Sequence, residues 1–140
     1  MRFKLVEDID SVNPGDTVFL RKDREYKNEI VAWLVDTNHR FFVLRKIGSE
    51  VVLLATTSRV SRMEKEPKNY VQVKGKERDF LVELNSWGIL PIDYIQRVAD
   101  SVSFDDYANV VDKFENSRPS MTLKLEKLSK RKITKPIDKR

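Results

Sequence analysis

Arg40-Phe41-Phe42-Val43-Leu44-Arg45-Lys46-Ile47, then Gly48-Ser49, then Glu50-Val51-Val52-Leu53-Leu54-Ala55-Thr56-Thr57-Ser58: this stretch decides the fold. Two apolar runs are separated by Gly48-Ser49, a tight hairpin signal. The first run is read as a strand over 40–47 and the second as a strand over 50–58. The second is apolar without alternation from Val51 to Ala55, the pattern of a central strand buried on both faces.

Outward from this hairpin the same grammar repeats. Upstream, Asn13-Pro14-Gly15-Asp16 is a turn signal. Residues 17–22 follow as a strand, with Val18 and Leu20 set against Thr17 and Phe19. A charged loop covers 22–28. Residues 29–36 are rich in β-branched and aromatic side chains and are expected to form a strand, with Trp33 in the core. Thr37-Asn38 is a short turn. Downstream, 59–69 is a charged loop containing Pro67, and 70–74 and 79–84 are short strands with Gly75 between them. Residues 85–91 are expected to be a loop carrying Trp87. Residues 92–101 read as a helical turn leading into a strand.

Ser103 starts a helix, with Asp105 and Asp106 in its first turn and the Ser-x-x-Asp spacing of a capping box. Those two carboxylates are explained by capping and by the positive helix end rather than by acid–base chemistry. Phe104, Tyr107, Ala108, Val111 and Phe114 fall on one helical face, and 116–119 ends the helix. The expected class is mostly β with short helices (α+β): a small, twisted, SH3-like barrel followed by a C-terminal helix and a basic tail. The barrel domain is assigned to 1–117 and the tail to 118–140. Met121, Leu125 and Leu128 allow a further helix in that tail, although Leu123-Lys124-Leu125 leaves a strand open.

The 140 residues carry a net charge of +5, very unevenly placed. Residues 118–140 hold nine basic and two acidic side chains, while 1–117 hold 18 basic and 20 acidic. A basic arm on a near-neutral body is an electrostatic footprint for a polyanion, and equally the composition of a solvated end. There is no cysteine, which excludes disulfides, thiolate catalysis and zinc fingers. His39 is the only histidine, so no multi-imidazole metal site can form and a serine triad could run only through His39. No run approaches the roughly 18 apolar residues of a membrane span, and the first residues lack a secretory pattern. A soluble, cytoplasmic protein without membrane partners is expected. Phosphate-cradling glycine motifs and an EF-hand loop are absent.

Four features stand in an informative order: Pro14-Gly15-Asp16 opening a strand, Arg40 just before an apolar strand, a buried strand ending in Thr56-Thr57-Ser58, and Ile89-Leu90-Pro91 leading through a strand to a serine-started helix. Over roughly residues 13–116 this pattern resembles the small endoribonuclease toxins related to MazF and PemK, phage-borne relatives included. The resemblance implies an SH3-like barrel, commonly a homodimer, that cleaves single-stranded RNA without a metal or other cofactor and is held off by a protein or RNA antitoxin. It implies Arg40 as the catalytic arginine and Thr57, with Ser58 beside it, as the hydroxyl partner. Arg59, Arg62, His39, Trp87 and the tail residues Lys130, Arg131 and Lys132 are candidate RNA contacts. The family's arginine is usually followed by proline; here Phe41 follows. If residues 30–35 form the second core strand, Arg24 or Lys27 stands in the place of Arg40.

The chemistry agrees with these residue types. RNA carries its own nucleophile, the 2′-OH. A guanidinium fork suits phosphate oxygens, and a threonine hydroxyl adds one donor. Arginine is a poor general base, whereas imidazole titrates near neutrality. His39 and Arg40 are neighbours, however, and strand geometry would send them to opposite faces unless the turn at Asn38 twists them together. Two other functions fit the same sequence: a non-catalytic barrel that binds nucleic acid through its tail, and a phage protein-interaction module.

Overall fold

The computed structural model describes residues 11–117. Six strands form one antiparallel sheet: β1 (Asp16–Leu20), β2 (Phe41–Ile47), β3 (Glu50–Thr57), β4 (Tyr70–Lys74), β5 (Asp79–Pro91) and β6 (Ile95–Ser101), in the order β4-β5-β3-β2-β1-β6. Three helices accompany it: α1 (Glu29–Asp36), α2 (Arg62–Lys65) and α3 (Phe104–Ser117). The fold is the mostly β, mixed class expected. β2 and β3 pair through the Gly48-Ser49 turn, with Ile47 opposite Glu50, and β3 lies between β2 and β5, buried on both faces.

The barrel is open, because β4 and β6 share no ladder. Side chains bridge the gap instead. The backbone N–H of Lys76, just past β4, donates to Asp100 Oδ2 in β6 (2.8 Å). The N–H of Lys74 donates to Asp106 Oδ2 in α3 (3.0 Å). Both bonds occupy edge donors that an open strand would otherwise present to solvent or to another chain. Asp106 therefore does not complete the expected capping box. Ser103 does cap α3, its hydroxyl accepting the Asp106 N–H (3.1 Å), but the Asp106 carboxylate is used on β4.

The sheet buries both faces. On one, Phe42, Leu44, Val52 and Leu54 pack with Val110 and Phe114 of α3. On the other, Phe41, Val43, Val51 and Leu53 pack with Val35 of α1. The period of two in β2 and β3 supplies each face in turn. On α3, Tyr107, Val110, Val111 and Phe114 make the buried stripe, whereas Phe104 is exposed. Gly15 adopts φ +95°, which only glycine tolerates without strain, and its N–H bonds Val43 O.

Three expectations are corrected. Residues 29–36 are helical, not a strand. Asn28 caps them, its side chain accepting from Ile30 N and Val31 N (2.8 and 3.0 Å), and Val31, Leu34 and Val35 sit at helical spacing on the core. Trp33 points away from that stripe and is 58% exposed, so it is not core. Residues 85–91 continue β5 rather than forming a loop. The break in pairing is an enlarged bulge: Leu54 faces Trp87 and Thr56 faces Val82, so Ala55 opposes all of Glu83 to Ser86.

Candidate functional site

The helix at 29–36 settles which strand follows the first. β2 is the second strand, and Arg40 immediately precedes it. Arg24 and Lys27 lie instead in the segment before α1.

The end of α1 sets the geometry. Thr37 is its C-cap, and Asn38 takes a left-handed φ of +60°. Asn38 N–H then donates to Val35 O (3.1 Å) and His39 N–H to Leu34 O (2.9 Å). This is a Schellman closure with asparagine in the left-handed position. It turns the chain sharply into β2 and brings His39 and Arg40 to one cleft, the twist that strand alternation alone forbids.

That cleft, about 310 Å³, is lined by Thr37–Arg40 from the α1–β2 turn, Thr56–Ser58 at the end of β3, and Glu77, Arg78 and Phe80 from the β4–β5 turn and β5. Arg40, Thr57, Ser58 and His39 are thus gathered in one place. Arg40 and Ser58 are exposed and Thr57 and His39 half-buried. Thr56, buried beneath them, donates its hydroxyl proton to Arg40 O (2.8 Å) and pins the backbone that carries the guanidinium. Thr57 Oγ1 accepts from Arg59 N–H (3.2 Å), which leaves its own proton for an acceptor in the cleft.

His39 is held by Thr37. The Thr37 hydroxyl contacts Trp33 O (2.8 Å) and His39 Nδ1 (2.8 Å). It has one proton, and the carbonyl can only accept. The tautomer with its proton on Nδ1 makes both contacts hydrogen bonds, the hydroxyl donating to Trp33 O and accepting from Nδ1–H. In that tautomer the neutral ring keeps the Nε2 lone pair for a proton from a ligand. The Trp33 ring lies beside the imidazole, with centroids 5.4 Å apart.

The other sequence candidates fall elsewhere. Arg59 and Arg62 are exposed beyond β3, outside the residues lining the cleft. Trp87 is not an exposed loop residue. It is half-buried in β5, paired with Leu54, and packs edge-to-face on Phe114 (6.3 Å, 84°) on the α3 side of the sheet, outside the residues lining the cleft. Lys130, Arg131 and Lys132 lie outside the described residues. Sequence reasoning missed Thr37, Thr56, Glu77 and Arg78. The last two arrive through a tight turn in which Gly75 N–H bonds Arg78 O (3.1 Å) and a Cβ on Gly75 would run into that same carbonyl oxygen. The Gly75-Lys76-Glu77-Arg78 run between two strands was the available signal.

Among the described residues no three His, Asp or Glu side chains are grouped as metal ligands, and no helix is long and apolar enough to cross a membrane. No protein-family model matches the chain, and no curated protein matches it.

Proposed function

We propose that this protein is a metal-independent endoribonuclease of the MazF/PemK toxin type, acting on single-stranded RNA at the cleft of His39, Arg40, Thr57 and Ser58. One observation carries the reading: four residues from two separate segments, each of a type that transesterification of RNA can use, line a single open cleft. The 2′-oxygen attacks the adjacent phosphorus and the P–O5′ bond breaks, leaving a 2′,3′-cyclic phosphate and a 5′-hydroxyl. The 2′-OH proton passes to His39 Nε2, and the departing O5′ takes up a proton from the imidazolium or from water. Arg40 and the Thr57 hydroxyl meet the non-bridging oxygens, where negative charge builds up. Ser58 offers a second hydroxyl at the rim. An antitoxin, a homodimer and a cytoplasmic setting belong to this same reading.

Incubation of the full chain with mixed-sequence single-stranded RNA, with and without EDTA, tests it. Cleavage in both conditions is expected, with Arg40→Gln slowing it by at least about 100-fold while remaining folded. RNA left intact in both conditions would reject the ribonuclease reading and leave nucleic-acid binding through the basic 118–140 segment and a protein-interaction role as the remaining functions.

A further inference from the structure

The positive surface continues past Arg40. The β1–β6 register sets Phe19 opposite Arg97. On the other side of β1, pairing of Val18 with Phe41 brings Phe19 alongside Arg40. The Arg97 guanidinium carbon lies 4.3 Å from the Phe19 ring centroid and that of Arg40 lies 5.7 Å away. One half-exposed ring therefore attracts two guanidiniums. Both arginines are exposed. The ion pairs among the described residues, counted to 4.0 Å, engage Arg21, Arg24 and Arg45 but neither Arg40 nor Arg97.

Such a row is unusual chemistry for a purely structural contact. Two cations drawn to one ring repel each other, and neither is in an ion pair with a described carboxylate. The aromatic face interacts with the flat of a guanidinium and leaves its in-plane N–H donors unspent. The stack also limits the rotamers of a long side chain, so less freedom is lost when an anion is gripped. Arg40 belongs to both the row and the cleft, so an anion held between Arg40 and Arg97 is adjacent to whatever the cleft holds.

We propose that Arg97, Phe19 and Arg40 form a phosphate subsite beside the cleft. It takes the phosphodiester next to the scissile one on a single-stranded RNA. Arg97 supplies the second fork, and Phe19 positions both arginines. The identity of the strand rests on the ribonuclease reading; the anion subsite rests on the row itself.

The test is binding of the full chain to a fluorescein-labelled, mixed-sequence strand with 2′-O-methyl riboses, which lack the nucleophile. Titrations run between about 50 and 200 mM salt, the range over which phosphate contacts separate clearly. Arg97→Gln is expected to weaken binding about tenfold and to make the slope of log affinity against log salt shallower by about 0.7, the loss of one phosphate contact on a single strand. Phe19→Leu keeps both charges, so it should weaken binding about threefold with the slope unchanged. Lys113→Gln, an equal change of charge on the exposed side of α3, should alter neither quantity. An Arg97→Gln protein that melts like the parent and keeps its affinity and slope would overturn the subsite, as would a parent protein with no salt-dependent binding. Unmodified RNA tested in parallel separates the two ideas. A parent that leaves it uncut, yet loses binding and slope through Arg97→Gln, retains the subsite and loses the nuclease.

Discussion

The two faces of the sheet are covered by helices of very different reach. α3 is 14 residues long and seals its face with Val110 and Phe114, at 0% and 1% exposure. α1 has eight residues and covers only part of the other face. Between it and β5 lies an apolar groove floored by Phe41, Leu53 and Ala55, with Ile30 and Trp33 largely exposed nearby. The contrast teaches that the helices do different work. α3 holds the sheet together. α1 adds less to the core, but its C-terminal closure brings His39 and Arg40 to the cleft shared with the end of β3. Both faces hold a buried cluster, but only one is sealed by a long helix, and the candidate chemistry hangs from a short helix on the other.

The largest expected effect breaks the sealed face. Phe114→Ala should cost about 3–5 kcal/mol in denaturant unfolding, because it empties a site that Trp87 and the β-strand side chains cannot collapse into. A loss below about 1 kcal/mol would mean α3 is not the anchor. The next acts on the working helix. Thr37→Val removes the acceptor for His39 Nδ1–H, frees the ring to take the other tautomer, and should slow RNA cleavage about tenfold. Thr37→Ser should restore the rate, an outcome that a packing role for the threonine methyl would not give.

Smaller effects sharpen the same contrast. Thr17 is fully buried, and its hydroxyl is the unsatisfied buried side-chain group among the described residues. Thr17→Val keeps the shape and removes that cost, so thermal unfolding should show a gain of about 1 kcal/mol. Beside α1, burial first and then the neighbouring Tyr94 push the Tyr26 hydroxyl up to about 12 from an ordinary 10.0; it donates to Arg21 O (2.6 Å). Its neutral form is the one the fold accommodates. Stability from this group is therefore complete below pH 10 and lost as pH climbs from there through about 12. Tyr26→Phe should flatten the alkaline limb of the stability profile, although Tyr107, raised by burial too, keeps part of it. Last, Trp33→Ala should change stability by no more than about 0.5 kcal/mol, as an exposed residue should.

How much of this was legible follows from the range of the forces involved. The β2–β3 hairpin and the Ser103 cap could be read because each is written in adjacent residues. The helix at 29–36 was hidden by its own composition. Ile30, Val31, Trp33 and Val35 favour strands intrinsically, while the deciding signals were one asparagine cap and the 31–34–35 spacing. Asn85 and Ser86 look like a loop because they lie in the bulge opposite Ala55, while Gly88 beyond it is paired with Leu53. Arg40 and Thr57-Ser58 were visible as strand-end chemistry. Glu77 and Arg78 were not, since only the curl of the sheet brings a distant turn to that cleft. The agreement of His39 and Arg40 depended on a single left-handed asparagine.

The central claim is that this cleft uses the RNA's own 2′-hydroxyl to break the strand. Mass-spectrometric analysis of the ends left on a defined single-stranded RNA after treatment with the full chain tests it most directly. Fragments ending in 2′,3′-cyclic phosphate and beginning with 5′-hydroxyl, absent with Arg40→Gln, are predicted. Fragments carrying 3′-hydroxyl and 5′-phosphate ends, or an undegraded strand, would contradict it.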